Sequence, residues 1–376
     1  MDLSNLNSYG LTADFLQEYE NSLKQIPDCS PDEYHLARVT SVHRGLCKIV
    51  EPGGEKSAYF SAKGQIENDK SVQFPAVGDW VVVECNYNHA TGTIRKILPR
   101  TSKFSRNIFD RKRLKCKAEE QVIAANIDKT FVVNALNHDF NTSRMERYLT
   151  IVWDSGSVPY LILNKADLCG DVEEKLEQVK EISFGLEVIV TSATEDRGIE
   201  QLNSCIKLGE TCIFLGSSGV GKSSLINLLL SKPRIKVEET SAYRDRGKHT
   251  TTSRSMYLLP SGGLVIDTPG LRGIQLWTGN ADLGEIFADI EELQSRCKFS
   301  NCTHQSESGC AVLQAIETGD LTYKRLQNYF KMQRELNYIQ RRAAKKADRK
   351  PRISYKQKMK NKTKHKHYLR SYYPES

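Results

Sequence analysis

No stretch of this 376-residue chain is apolar for the roughly 18–20 residues that a membrane-crossing helix needs, so no such helix is expected. The first residues, MDLSNLNSYGLTADF, lack the basic start and the apolar centre of a secretion signal, and the expectation is a cytoplasmic protein. A disulfide framework is missing as well. Of ten cysteines, seven stand alone (Cys29, Cys47, Cys85, Cys116, Cys169, Cys205 and Cys212), the pattern of reduced thiols used as small core hydrophobes. No internal repeat is present. Acidic residues are scarce at one end only: between Lys331 and Ser376, 16 Lys and Arg face Glu335, Asp348 and Glu375, a net of +13 in a chain whose total is +8. The positive field therefore sits in the tail, as a solvated arm whose common partner is nucleic acid. No apolar amphipathic face accompanies it, which argues against a membrane surface.

What is present divides into six segments. Residues 1–33 read as a loosely attached extension with a helix around Leu11–Leu23. In residues 34–100, His35–Val42, Leu46–Val50, Val81–Cys85 and Gly92–Leu98 are short β-rich runs between Gly, Pro and Asn breakers. They predict a small barrel of the OB type, with a small β-sandwich as the alternative. Residues 101–120, beginning TSKFSRNIFDRKRLKCK, read as a basic linker. From 121 to 280 strands and helices alternate. The strands are Thr130–Leu136, Val158–Leu163, Glu187–Val190 and Thr211–Leu215; the helices are Arg144–Trp153, Val172–Ile182 and Ile199–Lys207. That rhythm predicts a parallel sheet covered on both faces. Residues 281–335 are mostly helical, and 336–376 form the basic tail.

Gly216-Ser217-Ser218-Gly219-Val220-Gly221-Lys222-Ser223, followed by Ser224, fits G-x-x-x-x-G-K-[ST] at every defined position. It follows the buried-strand pattern TCIFL and opens the helical SLINLLL, the context that this motif requires. Glycines let backbone N–H groups turn inward around phosphate oxygens, and the helix N-terminus adds partial positive charge. Lys222 is then placed for the β and γ phosphates and Ser223 for Mg²⁺. A second element, Asn164-Lys165-Ala166-Asp167, ends the apolar run VPYLILN. Guanine offers N1–H and its 2-amino group as adjacent donors, which Asp167 can accept. Adenine lacks that pair and would leave the carboxylate unpaired, at about 1–3 kcal/mol or more. Asn164 would contact the purine edge and the Lys165 stem would cover the ring. Thr191-Ser192-Ala193 supplies the backbone N–H for O6.

LVIDTPG ends in Asp267-Thr268-Pro269-Gly270, with Asp267 expected to hold Mg²⁺ through water and Gly270 to sense the γ-phosphate. Upstream, RDRGKHTTTSRS offers Thr250 or Thr251 as the remaining Mg²⁺ ligand of the first switch. One residue is lacking. Where a Ras-like GTPase has a water-positioning glutamine, this chain has Leu271. His249, beside the switch threonines, is the candidate replacement, since neutral imidazole can accept a hydrogen bond from water.

The order of these motifs is shuffled, with the guanine loop 52 residues before the phosphate loop. Cutting a GTPase chain between its third and fourth strands and joining the old ends produces that order. The cut ties the helical region from about Leu283 to the second switch, so nucleotide state would work that region as a lever. Within it, Cys297-x4-Cys302-x-His304-x5-Cys310 sets three thiols and one imidazole in a turn-rich stretch, the donor set of a closed, structural Zn²⁺ site.

Taken together, these residues resemble the bacterial ribosome small subunit-dependent GTPase A family, from about residue 34 to 330. The likeness rests on the permuted NKAD, GSSGVGKSS, GKHTTT and DTPG, the cysteine–histidine spacing, and the join ILPRTSKFSR. It implies an OB barrel, a central permuted GTPase and a zinc-bearing helical domain, acting late in maturation of the small ribosomal subunit with hydrolysis stimulated by it. It also implies His249 as the water-positioning residue. The partners expected are GTP and GDP, the 30S subunit and its 16S rRNA, with the chain a monomer. A barrel, a zinc module and a basic arm can each hold RNA by charge and shape. An RNA-binding chaperone using GTP as a ligand, and a GTPase with a non-ribosomal partner, are the alternatives.

Overall fold

The computed structural model describes residues 3–26, 33–43, 45–60, 74–85, 91–109, 118–180, 182–183, 185–231, 235, 254–267, 287–323, 325–334 and 337. Two helices, α1 (Ser4–Asn7) and α2 (Ala13–Leu23), precede β1 (Tyr34–His43), β2 (Leu46–Glu51), β3 (Gly54–Phe60), β4 (Trp80–Glu84) and β5 (Thr91–Ile97). β1 pairs with β2, β2 with β3, β3 with β5 and β5 with β4, and β4 returns to β1. The closed five-strand order is that of an OB barrel, as the sequence predicts. Strand limits move by a residue or so, as assignment of ends does. β3, which the sequence reading lacks, is GEKSAYF, a mostly polar strand with one buried residue.

Alternation in the barrel strands sends residues to two cores. Ala37, Val39, Ile49, Val81, Val83 and Ile94 fill the interior. Leu36, Val50, Trp80, Val82 and Leu98 face outward, and Leu6, Phe15 and Tyr19 of the first two helices cover them. The extension is therefore not loosely attached: it seals an apolar outer face of the barrel. Phe15 and Trp80 rings lie 5.6 Å apart, and Tyr19 Oη donates to Tyr34 O at 2.7 Å.

The stretch expected as a linker is also structured in part. β6 (Lys103–Phe109) pairs antiparallel with β7 (Ala118–Ala125) as a separate ribbon. Beyond it run β8 (Lys129–Ala135), α3 (Thr142–Ser155), β9 (Val158–Asn164), α4 (Val172–Lys180), β10 (Val188–Val190) and α5 (Ile199–Ser204). They are followed by β11 (Thr211–Leu215), α6 (Lys222–Leu229), β12 (Arg254–Leu258), β13 (Leu264–Asp267), α7 (Ala288–Ser295) and α8 (Ala311–Thr318). The strands order as β10-β9-β8-β11-β13-β12, parallel except for β12. Ligands of such sheets bind at the C-terminal ends of the strands. Successive residues of β8 serve opposite faces. Val132 joins Ile213, Leu215 and Met145 on one side, while Phe131 and Val133 join Phe214 and Leu225 on the other. The C-terminal helices bury Phe287, Ile290, Val312 and Tyr329 in the first of these cores. β12 also pairs with β1, so the sheet runs on into the barrel.

One cation joins these parts. Arg38 of β1, 2% exposed, donates to the carbonyl of Tyr9 in the extension, to Gly78 O at 3.4 Å, to Asn126 O at 3.1 Å and to Thr211 Oγ1 at 2.8 Å. Its guanidinium also lies 5.2 Å from the centre of the Trp80 ring. Burial lowers its pKa to about 10, against the opposing pull of Asp128 and Asp79, so it stays charged at neutral pH. Five N–H donors in a fixed fork make arginine the side chain able to reach that many acceptors. Arg38→Ala should leave those acceptors without their donor and cost about 3 kcal/mol. A urea unfolding midpoint equal to that of the unaltered protein would contradict this.

Candidate nucleotide site and cysteine cluster

The candidate nucleotide site is assembled from strand ends. β9 delivers Asn164, 1% exposed, and Lys165 then takes a left-handed φ of 66°. The single turn Ala166–Leu168 that follows sets Asp167 at the surface. Asn164 Nδ2 donates to Val220 O at 2.8 Å, while its Oδ1 accepts from Thr191 Oγ1 at 3.0 Å. One side chain thus clamps the guanine-type loop to the phosphate-type loop. Gly221, at φ 100°, is required twice over, by its backbone and because a Cβ there would collide with Asn164 Nδ2. Gly216, at φ 149°, packs so closely that a Cβ would strike Val133 O.

Ser192, fully buried, donates to Asp167 Oδ1 at 2.6 Å and lies 2.9 Å from Thr194 Oγ1. That hydroxyl holds the Asp167 carboxyl below the usual carboxylate value, so it is ionised at neutral pH. Ala193 packs against the core beneath. In the phosphate-type loop, Ser217, Ser218 and Gly219 bridge β11 to α6, with Val220 buried at 2%. Lys222 opens α6 and folds back over the loop, donating to Gly216 O at 2.8 Å and Ser217 O at 2.5 Å. Ser223 and Ser224 follow in the first helical turn. Asp267 ends β13, which pairs with β11; burial raises its carboxyl pKa, with Lys222 opposing. Asn164, Lys165, Asp167, Ser192 and the phosphate-type loop thus come together. His249, Thr250, Thr251, Gly270 and Leu271 lie outside the described residues.

Arg144 was not among the residues singled out in the sequence. It stands in the first turn of α3, pairs with Asp139 at 2.8 Å and donates to Ser217 Oγ at 2.7 Å. No motif marks it, because the adjacency of β8 and β11 alone brings it to the loop.

The C-terminal cluster gathers as its spacing predicts. The ligand atoms of Cys297, Cys302, His304 and Cys310 all lie within 4.8 Å of one another. Cys297 Sγ is 3.6 Å from His304 Nδ1 and 3.9 Å from Cys310 Sγ, and His304 Nδ1 is 3.3 Å from Cys310 Sγ. Neighbouring ligands about 3.5–3.8 Å apart are what tetrahedral zinc needs, so these residues fit that metal. No disulfide competes, since all of these cysteines are free. The loop between His304 and Cys310 is organised by Glu307, also missed in the sequence. Its carboxylate accepts from the Thr303 hydroxyl and amide, Gln305 N and Ser306 N, and those bonds depress its pKa.

C-terminal helices dock on α3 through a buried ion network. Arg325, 4% exposed, pairs with Glu146 at 2.9 Å and with Asp289 at 2.7 Å, and Asn328 Nδ2 donates to Glu146 Oε2 at 2.6 Å. The helix that reaches the phosphate-type loop through Arg144 therefore also anchors the cysteine-bearing region.

Residues 97–277 match the family model described as RsgA GTPase, and residues 211–347 match one described as 50S ribosome-binding GTPase. A protein of Lactiplantibacillus plantarum named small ribosomal subunit biogenesis GTPase RsgA 2 is 41% identical over 334 residues, 89% of this chain and 90% of its own. One from Oceanobacillus iheyensis, named small ribosomal subunit biogenesis GTPase RsgA 1, is 39% identical over 82% of this chain and 86% of its own. Among solved structures, YjeQ from Thermotoga maritima shares 26% identity at a TM-score of 0.60, covering 81% of this chain and 98% of that one. YloQ, titled a circularly permuted GTPase, shares the fold at 24% identity and a TM-score of 0.56. Strand order, motif order and these likenesses agree: the chain belongs to the RsgA family of circularly permuted GTPases.

Proposed function

We propose that this protein is a GTP-driven switch that binds the small ribosomal subunit late in its maturation, with hydrolysis stimulated by the subunit and coupled to release. The observation that carries the reading is the Asn164–Val220 clamp, which holds the base loop and the phosphate loop side by side in one cleft. The 50S description comes with a model matching residues 211–347, whereas the relatives named for the small subunit align over most of the chain. The greater coverage favours the small subunit, with 16S rRNA as the surface met by the barrel and the basic tail.

Within the cleft, ionised Asp167 accepts from guanine N1–H and the 2-amino group. Asn164 and Lys165 flank the base, and Ser192 and Ala193 present the O6 side. The loop from Gly216 to Ser224 and the Lys222 ammonium hold the phosphates. Ser223, Asp267 and a switch threonine, Thr250 or Thr251, are hard oxygen donors of the kind Mg²⁺ takes. Bound there, Mg²⁺ neutralises charge that builds on the phosphate oxygens. His249 orients the water that attacks the γ-phosphate in line, yielding GDP and phosphate. Zinc held by Cys297, Cys302, His304 and Cys310 is structural, because four protein ligands leave no open position.

Asp167→Asn should weaken GTP by about 1.5–3 kcal/mol, roughly ten- to a hundredfold in Kd, while ATP binding changes little. Equal competition of ATP and GTP for the unaltered protein would remove the guanine assignment. Turnover should rise strongly with small subunits and not with large ones. Equal rates with either, or with neither, would remove the ribosomal reading. His249→Ala should abolish the stimulated rate and spare GTP affinity; undiminished stimulated turnover would take the water-positioning role from it.

The Arg325–Glu146–Asp289 network gives the lever a second attachment besides the chain connection after the second switch. Arg325→Met should leave intrinsic GTP turnover in place and slow departure from the subunit after hydrolysis. Departure at the normal rate, followed by sedimentation, would disconnect this region from the nucleotide cycle.

A further inference from the structure

At one end of the barrel, three strands bring together side chains that share no motif. His35 stands second in β1, Glu51 closes β2 and Cys85 follows β4. The barrel register converges them, with Tyr34 opposite Glu84 and His35 opposite Val83. His35 Nδ1 is 3.0 Å from Glu51 Oε2, and Cys85 Sγ is 3.3 Å from each of those atoms. An imidazole nitrogen, a carboxylate oxygen and a thiol sulfur thus form a near-equilateral triangle, far from the nucleotide motifs and the C-terminal cysteines in sequence.

Three features suit this triangle to a metal ion. Around tetrahedral zinc with bonds of about 2.0–2.3 Å, neighbouring ligand atoms lie about 3.3–3.7 Å apart, so the triangle need open only by tenths of an ångström. Glu51 is 1% exposed and already aimed: Lys56 holds Oε1, which leaves Oε2 facing His35 and Cys85. Partners of that kind outside a metal's ligands fix a carboxylate for coordination. His35 and Cys85 are only partly buried, so an ion can enter from solvent. The mixed nitrogen, oxygen and sulfur set selects zinc over magnesium or calcium.

We infer that His35, Glu51 and Cys85 form a second zinc site, a three-ligand centre on the barrel rim whose fourth position is open to water or to a donor group from a partner. On binding, the Cys85 thiol gives its proton to solvent and the thiolate takes the metal, with His35 Nδ1 and Glu51 Oε2 completing the protein ligands. The ion ties the ends of β1, β2 and β4 together. The extension joins it as well, since Asn5 Nδ2 donates to Glu51 O at 3.0 Å.

The test titrates the metal-free full-length protein with Zn²⁺ against a chromophoric chelator. Cys85→Ser and His35→Asn should each take one equivalent fewer than the unaltered chain, with GTP binding unchanged as the check that they are folded. Equal stoichiometry in all three overturns the site. A second readout is spectroscopic: with Co²⁺, the unaltered protein should show a thiolate-to-metal absorption component that Cys85→Ser lacks, and identical spectra overturn the site. Because each variant is read as a difference of one equivalent, the result is independent of whether Cys297, Cys302, His304 and Cys310 hold zinc.

Discussion

A buried guanidinium ties the barrel to the N-terminal extension and to the parallel sheet. Arg38 leaves the barrel wall and reaches acceptors in the N-terminal extension, in the turn before β4, in the β7–β8 connection and at the first residue of β11. Burying an ion this completely is costly unless its donors are all used. Those bonds act as a positional constraint, because no other placement of the barrel serves them at once. β11 is also the strand that runs into the phosphate-type loop, so the barrel is referenced to the candidate nucleotide site through Thr211. Nearby, the buried Asp79 is held by Arg100 at 2.7 Å and accepts from Ala76 N, which fixes the turn carrying Gly78.

The permuted chain order leaves the nucleotide cleft intact because the cleft depends on neighbours in the sheet. β11 lies between β8 and β13 whichever is made first. Asn164 then reaches across to Val220 from a loop 56 residues earlier in the chain. Reordering changes only which segments are covalently joined, and here it joins the candidate second switch to the helices that carry the cysteine cluster. Those helices are held from the other side by Glu146 of α3, whose neighbour Arg144 touches Ser217. The cysteine-bearing region is thus tied to the GTPase core by its connection and by a buried ion network.

Legibility in the sequence followed how local each feature was. TCIFL followed by the phosphate loop, VPYLILN followed by NKAD, and the cysteine spacing all carry their meaning within a few residues, and the structure brings each set together. The polar β3 and the basic ribbon strand KFSRNIF carry no apolar alternation, so their pairing was invisible until their partners were in place. The packing of the extension is hidden in the sequence for a related reason. WVVVE in β4 is apolar without alternation, which signals burial on both faces. It does not say that Leu6, Phe15 and Tyr19 do the covering. Arg144 and the His35–Glu51–Cys85 triangle depend on tertiary neighbours, and no spacing rule finds them; Glu307 bonds only within its own loop, where no motif marks it.

The passage from GTPase sheet to barrel is a narrow seam. β12 and β1 meet in two residue pairs, Ser41 with Ser255 and Val42 with Arg254, and the Ser41 hydroxyl donates to Arg254 O at 3.0 Å. Cross-strand pairs contribute about 0.2–1 kcal/mol each, so this stitch is weak beside the Arg38 anchor. Arg254 is also the first described residue after the segment bearing the candidate switch threonines Thr250 and Thr251. The lightest of the barrel's attachments thus stands next in the chain to that segment, and the heaviest, through Arg38, stands on the far side of the sheet order at β11.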